Sequence, residues 1–340
     1  MAAGKSGERT PTIKDVAKAA GVSQATVSYV LNNLNKVTPE VDAHVRRVAR
    51  ELGYSRNRVA RALKTGRNNV IGCIMPSLLS PVFPEIAQAV QQRAEEHGFA
   101  TFVIDSGLQT ATREAEAIRM LADHGVDGAI AVLASPRAVS DRRALPLVVI
   151  DQPMDGMDSV YADHRGGGRL LADYAIGLGH RRVGLLSGLQ NLYSSRERRE
   201  GFIEAARGSL DIVWDIEVPL VPSLPSEAFD ALGRRDASLV VCVNDLIAMT
   251  ALSALRQMRI RVPEDMSVMG FDDMQWSGWP LLNLTTVRQP LGQLGRDAVD
   301  LLVRRLDAPD AEISNITLPV SLVERGSTQP QVKDQEPRPT

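Results

Sequence analysis

The stretch Thr12-Ile-Lys-Asp-Val-Ala-Lys-Ala-Ala-Gly-Val-Ser-Gln-Ala-Thr-Val-Ser-Tyr-Val-Leu-Asn32 decides the reading of the N-terminal part of the chain. Thr12 followed three residues later by Asp15 opens a helix, with Asp in place of the usual Glu of a capping box. Val16, Ala17, Ala19 and Ala20 continue it, and Gly21 supplies the left-handed position that ends it. Val22 fills the turn, and Ser23 caps a second helix from Gln24 to Leu31 whose apolar side is Val27, Val30 and Leu31. Thr38-Pro39 opens a third helix through Val41, Val45, Val48, Ala49 and Leu52, with Pro at the first helical position. Three short helices with a Gly-containing turn between the first two form a helix-turn-helix layout. The second helix presents Gln24, Ala25, Thr26, Ser28 and Tyr29, which let a helix approach base edges and phosphates. The plain alternative is a structural three-helix module whose polar face meets only water.

Charge favours the nucleic-acid reading. The net charge of −2 hides a strong asymmetry: residues 1–67 carry +8 and the remaining 273 residues carry −10. A basic head on an acidic body points to a polyanion for the head alone. At 340 residues the chain has room for two or three domains. No apolar run approaches the ~18 residues of a spanning helix, and residues 1–10 contain no apolar h-region of a signal peptide. The expectation is a cytoplasmic protein with no membrane partner. Cys73 and Cys242 both sit in apolar runs, so they read as buried small hydrophobes of a reducing compartment.

Beyond Val70 the pattern alternates. Apolar runs at Val70–Met75, Phe99–Asp105, Val126–Leu133, Pro146–Asp151, Arg182–Ser187, Ile216–Val221, Ser238–Asn244 and Met266–Asp272 are separated by helix-like segments. Continuous apolar strands need cover on both faces, so the fold class is α/β: an all-α helix-turn-helix head plus a two-lobed, doubly wound parallel core. Such lobes, joined by several crossovers, leave a ligand cleft at the carboxyl ends of their strands. The expected boundaries are a disordered N-terminus at 1–11, the head at 12–56, a hinge helix and linker at 57–67, and a core at 68–326. Lobe 1 takes 68–163 and 290–318, and lobe 2 takes 164–289 and 319–326. The polar, Pro-rich tail 327–340 is expected to be disordered.

The N-terminal stretch closely resembles the start of the lactose-repressor/galactose-repressor family of bacterial transcription factors. The resemblance continues through Gly53-Tyr-Ser-Arg-Asn57, Arg61-Ala-Leu-Lys-Thr-Gly66, Leu178-Gly-His-Arg-Arg182, Asn244-Asp245, Gly270-Phe-Asp-Asp273 and Thr285-Thr-Val-Arg-Gln-Pro290, and covers essentially residues 12–326. It implies a periplasmic-binding-protein-like core and a dimer that binds a pseudo-palindromic operator, usually as a repressor. It also implies DNA contacts from Thr12, Ser23, Gln24, Ala25, Thr26, Ser28, Tyr29, Asn32, Tyr54, Asn57, Arg58 and Arg61, with Leu63 as a minor-groove wedge. Two departures fall in this reader: Tyr29 stands where the family usually has Arg, and Arg56 where it usually has Pro.

In the body the resemblance places Phe83, Asp151, Arg198, Asn244, Asp272 and Gln289 around the effector. Carboxylate, guanidinium and amide groups around one cleft suit a ligand with several hydroxyls, so a sugar or related polyol is the expected effector. A purine is the alternative; Val82 stands beside Phe83 where a base-stacking pocket favours a second aromatic. Asp272 and Asn244 also suit helix caps, and Arg198 a surface position. A sugar-binding transport protein is the rival class, opposed by the basic head. No enzyme, cofactor or metal site is expected. The five histidines lack metal spacing, and His97, His124 and His180 beside glycines read as helix-end groups. Gly166-Gly-Gly168 lacks the Lys-Ser/Thr of a phosphate loop and reads as a close helix contact.

Overall fold

The computed structural model describes residues 11–31, 34, 36–54, 67–107, 111–134 and 145–331. The chain divides into two units, Met1–Asn68 and Asn69–Thr340.

In the first unit, α1 (Ile13–Ala20), α2 (Gln24–Leu31) and α3 (Pro39–Glu51) surround a small core that includes Val16, Val27, Val30, Val45 and Ala49. Asp15 Oδ2 accepts from the Thr12 backbone N–H at 2.8 Å and from its hydroxyl at 2.7 Å, which fixes the first turn of α1. Gly21 lies at φ 66°, where a Cβ is disfavoured. Ser23 Oγ accepts from the Thr26 backbone N–H at 3.0 Å, the cap expected for α2. Arg46 donates to the Val30 carbonyl at 2.8 Å and ties α3 to the end of α2.

The second unit contains two six-stranded sheets. The first holds β1 (Val70–Met75), β2 (Ala100–Asp105), β3 (Gly128–Val132), β4 (Leu147–Ile150), β5 (Asp158–Ala162) and the late β11 (Asn315–Leu318), in the order β11-β5-β4-β3-β1-β2. α4 (Val82–Glu96), α5 (Ala111–Asp123) and the late α10 (Leu291–Asp307) cover its faces. The second sheet holds β6 (Arg182–Gly188), β7 (Asp211–Val218), β8 (Leu239–Cys242), β9 (Ser267–Asp272), β10 (Thr285–Arg288) and β12 (Ser321–Val323), in the order β12-β10-β9-β8-β6-β7. Among the described residues only β12, on β10, pairs antiparallel. α6 (His164–Gly177), α7 (Tyr193–Ala206), α8 (Ser226–Arg234) and α9 (Asp245–Gln257) pack around this sheet. β1, β3, β4, β8 and β9 are buried almost throughout, as strands covered on both faces must be.

The chain passes between the sheets after β5, after β10 and after β11. β10 still belongs to the second sheet, so the return to the first begins only with α10.

Three expectations need correction. The strand expected at Ile216–Val221 begins earlier, at Asp211, and ends at Val218. It is a sheet edge with alternating exposure, so its apolar run is shorter than the strand. The segment expected as tail from Ser327 is ordered through Gln331: Ser327 Oγ donates to the Val268 carbonyl at 2.7 Å and accepts from the Thr285 N–H at 2.8 Å, and the Gln331 N–H reaches the Leu178 carbonyl at 2.8 Å. Hydrogen bonds rather than apolar burial hold it, which composition does not register. His180 is not a charged helix-end group. It is fully buried, its Nδ1 lies 2.8 Å from Ser238 Oγ, and burial lowers its pKa to about 4.

Candidate functional site

On the head, Gln24, Ala25 and Tyr29 are exposed on α2, while Thr26 and Ser28 are half-buried. Ser23 and Thr26 are engaged with each other by the cap, their hydroxyls 2.9 Å apart. Thr12 is similarly engaged with Asp15. Tyr54 leans on the small core. The Lys36 ammonium lies 5.3 Å from the centre of the Tyr29 ring, so the residue in the usual Arg position carries a cation beside it. Asn32, Asn57, Arg58, Arg61 and Leu63, and all but the last residue of the expected hinge at 57–67, lie outside the described residues.

In the second unit a cleft of about 420 Å³ opens between the carboxyl ends of the two sheets. All six expected effector residues line it. Phe83 comes from the first turn of α4, Asp151 from the end of β4, Arg198 from α7, Asn244 from the start of α9, Asp272 from the end of β9 and Gln289 from just beyond β10. Strand ends and helix starts meet there because a parallel sheet puts every βα turn on one side. Asn244 is a helix cap as well: its Oδ1 accepts from the Ile247 N–H at 2.9 Å. Asp272 is not a cap, and Arg198 is not a surface residue.

Arg198 is held on four sides. Nη1 donates to the Val243 carbonyl at 2.8 Å and lies 3.2 Å from Asp272 Oδ1; Nε donates to His164 Nδ1 at 3.3 Å; and the guanidinium carbon sits 3.9 Å from the centre of the Phe271 ring. α7 comes close enough for this because α6 touches it backbone to backbone. A Cβ on Gly168 would collide with the Arg198 carbonyl, and one on Gly201 with that of Arg165. The glycine run therefore does act in helix packing.

Burial pushes the Asp272 carboxyl above the usual carboxylate range; Arg198 and the amide of Gln289 pull it down, and Asp245 and Asp151 push it up. Gln289 Nε2 donates to Asp272 Oδ1 at 2.7 Å, while Gln289 Oε1 is buried with no hydrogen-bond partner. Asp151 is also opposed by burial, but His164 and Arg198 outweigh that and hold its carboxyl low. Asp151 and Asp272 both adopt left-handed backbone, with φ of 78° and 120°. Such backbone costs of order 1–3 kcal/mol per residue and clusters at binding sites.

Apolar residues share the lining, with Leu79 and Val82 on one wall and Leu220 and Val221 on the other. Sequence reasoning missed Tyr193 and Ser194, which also line the cleft. The available signal was their place in the first turn of the helix that carries Arg198, directly after a strand. Among the described residues no group of three or more ligating side chains could hold a metal ion, and no helix is long and apolar enough to cross a membrane.

Comparison with known proteins matches residues 12–57 to "Bacterial regulatory proteins, lacI family" and residues 172–328 to "Periplasmic binding protein-like domain". The transcriptional repressor PurR of Haemophilus influenzae (strain PittEE) is 32% identical over 332 residues, covering 94% of this chain and 98% of that protein. The chain belongs to the lacI family of bacterial regulatory proteins. A crystal structure of the Lac repressor dimer bound to operator and the anti-inducer ONPF aligns with a TM-score of 0.80 at 28% identity, over 94% of this chain and 100% of that one. A complex of the transcriptional regulator CelR with cellobiose aligns at 0.67 and 27%, over 93% and 99%. As a lacI-family member, the chain joins a DNA-binding head to a ligand-binding core, and it is a transcriptional regulator.

Proposed function

We propose that this regulator is a cytoplasmic repressor that binds a pseudo-palindromic operator as a dimer, and whose cleft takes a neutral, hydroxyl-rich ligand of the sugar class. The observation that carries the ligand class is the set of acceptors at the cleft: Gln289 lines it, and the buried Oε1 of that side chain has no hydrogen-bond partner. Beside it stand the carboxylates of Asp151 and Asp272, so acceptors dominate. Hydroxyls can donate to all three. Arg198, the cation among the six residues, is already paired with Asp272, so a phosphate would meet no free charge and two carboxylates. Hydroxyl donors aimed at a buried acceptor remove a penalty of ~1–3 kcal/mol, the kind of contact that discriminates strongly. Contacts from Thr12 through Leu63 to DNA, and the hinge at 57–67, belong to the same reading. So does control by linkage: a ligand that favours one lobe orientation shifts operator affinity by its differential affinity.

A purine is the second reading, favoured by Tyr193, which joins Phe83 in lining the cleft and supplies the second aromatic group that Val82 does not.

The test is a calorimetric titration of the full chain with maltose, cellobiose, D-ribose, glucose 6-phosphate, hypoxanthine and guanine. An operator selected from a random duplex pool then reports the response. Binding of a neutral sugar that is lost in Gln289→Leu supports the reading; binding of glucose 6-phosphate or a purine alone overturns it.

A further inference from the structure

A buried polar group, His164, stands beside the cleft without lining it. His164 is the first residue of α6, where the chain leaves the first sheet for the second. Its side chain is 0% exposed and it is not among the residues lining the cleft. Arg198 Nε donates to its Nδ1. A guanidinium can only donate, so Nδ1 carries the lone pair and the ring proton is on Nε2. Nε2 lies 3.0 Å from Asp151 Oδ1, near enough to favour the ionised carboxylate, but its N–H is not aligned on that oxygen. Donor and acceptor are within reach of each other but off line.

The two neighbours of the ring belong to different lobes. Arg198 stands on α7, against Phe271 of β9, and on this side the packing is stiff: α6 meets α7 through Gly168 and Gly201, and Gly167 abuts the Phe271 ring. Asp151 directly follows β4 of the first sheet. The contacts Asp272–Arg198–His164–Asp151, at 3.2, 3.3 and 3.0 Å, therefore run from one wall of the cleft to the other, with His164 alone set behind the lining. Of the three, only the last joins the two lobes; the Asp151 carboxylate is also hydrogen-bonded by Ser194 of α7, so a small rotation between the lobes changes how both donors meet that carboxylate. Close-packed elements switch between discrete arrangements rather than deform smoothly, which makes a buried donor of this kind a determinant of which arrangement is preferred.

We infer that His164 is a positioning residue that couples the lobes: it links the Arg198–Asp272 pair to Asp151, so that occupancy of either cleft wall biases lobe orientation through the Nε2–H···Oδ1 contact. This rests on the cleft being the effector site, but its test uses no ligand, so a failed ligand screen and a failed coupling test are separate results.

The test is hydrogen exchange of the ligand-free full chain, read by mass spectrometry on peptides spanning the crossings at 289–290 and 319–320. His164→Leu keeps buried bulk without polar atoms, His164→Gln keeps one donor and one acceptor, and Asp151→Ala removes the lobe 1 partner without touching α6. The expected result is about threefold faster exchange at both crossings in His164→Leu and in Asp151→Ala, with His164→Gln near wild type. Acceleration confined to α6 peptides means that His164 only packs, and overturns the inference. So does His164→Gln exchanging as fast as His164→Leu, because then the polar atoms are irrelevant. Uniform acceleration in His164→Leu with no change in Asp151→Ala also overturns it.

Discussion

Replacing Arg198 by Met keeps the side-chain stem over Phe271 and removes the charge. The side chain is 11% exposed, and its partner Asp272 only 4%, so neither charge can fall back on water. Removing one member of a buried pair costs about 3–5 kcal/mol when the other stays ionised. Two further losses are small: the bond to the Val243 carbonyl, and the long one to His164. Asp272 can escape part of the cost by taking up a proton, and this sets a pH dependence with a definite sign. Its folded-state carboxyl already stands above the unfolded value through burial, so stability falls as pH rises through the folded-state pKa. Arg198 opposes that shift, and without it the carboxyl rises further and the decline extends to higher pH. Urea unfolding at about pH 5 and about pH 8 should therefore give a loss of roughly 1–2 kcal/mol at the lower pH and about twice that at the higher. The double variant Arg198→Met with Asp272→Asn should recover most of the difference, since no buried carboxylate remains. Equal losses at both pH values, or no recovery in the double variant, would refute the claim that Arg198 balances the charge of Asp272.

Gly168→Ala should lower the melting temperature of the core by overpacking α6 on α7, at a cost of ~1–3 kcal/mol. Gly177→Ala, at the exposed end of the same helix with nothing near its missing Cβ, should instead raise stability by up to about 1 kcal/mol. A chain ending at Gly326 loses both hydrogen bonds of the Ser327 hydroxyl and its two backbone bonds, to Asn283 and Val268, so its core should be at least ~2 kcal/mol less stable in urea. Ser23→Ala removes the cap of α2 and should destabilise the head by about 1 kcal/mol, seen as a lower helical melting midpoint and weaker operator binding at matched salt.

What could be read from the sequence, and what could not, divides by whether the cause of burial is local. β1 and β8 lie under helices on both faces, so burial itself wrote a continuous apolar run, and the α/β class follows from such runs. The cap at Thr12 and Asp15 and the left-handed Gly21 act within one helical turn, and they too stand in the sequence unaltered. β7 starts earlier than its apolar run because it buries only one face, as its alternating exposure shows. Residues 327–331 read as tail because Ser327 is buried by partners 42 and 59 positions away, not by its own composition. The cleft is the extreme case. Asp151, Arg198 and Asp272 have no common period, and their identification came from resemblance to a family, not from spacing. His164 shows why. Beside a run of glycines it reads as an ordinary helix residue, and only the fold reveals that the glycines bring α7 near enough for Arg198 to reach its ring. The same fold sets Asp151 of the other sheet 3.0 Å from the opposite nitrogen. A group whose role is to join two lobes has its neighbours wherever the chain crossings put them, so its role becomes legible only when the crossings are known.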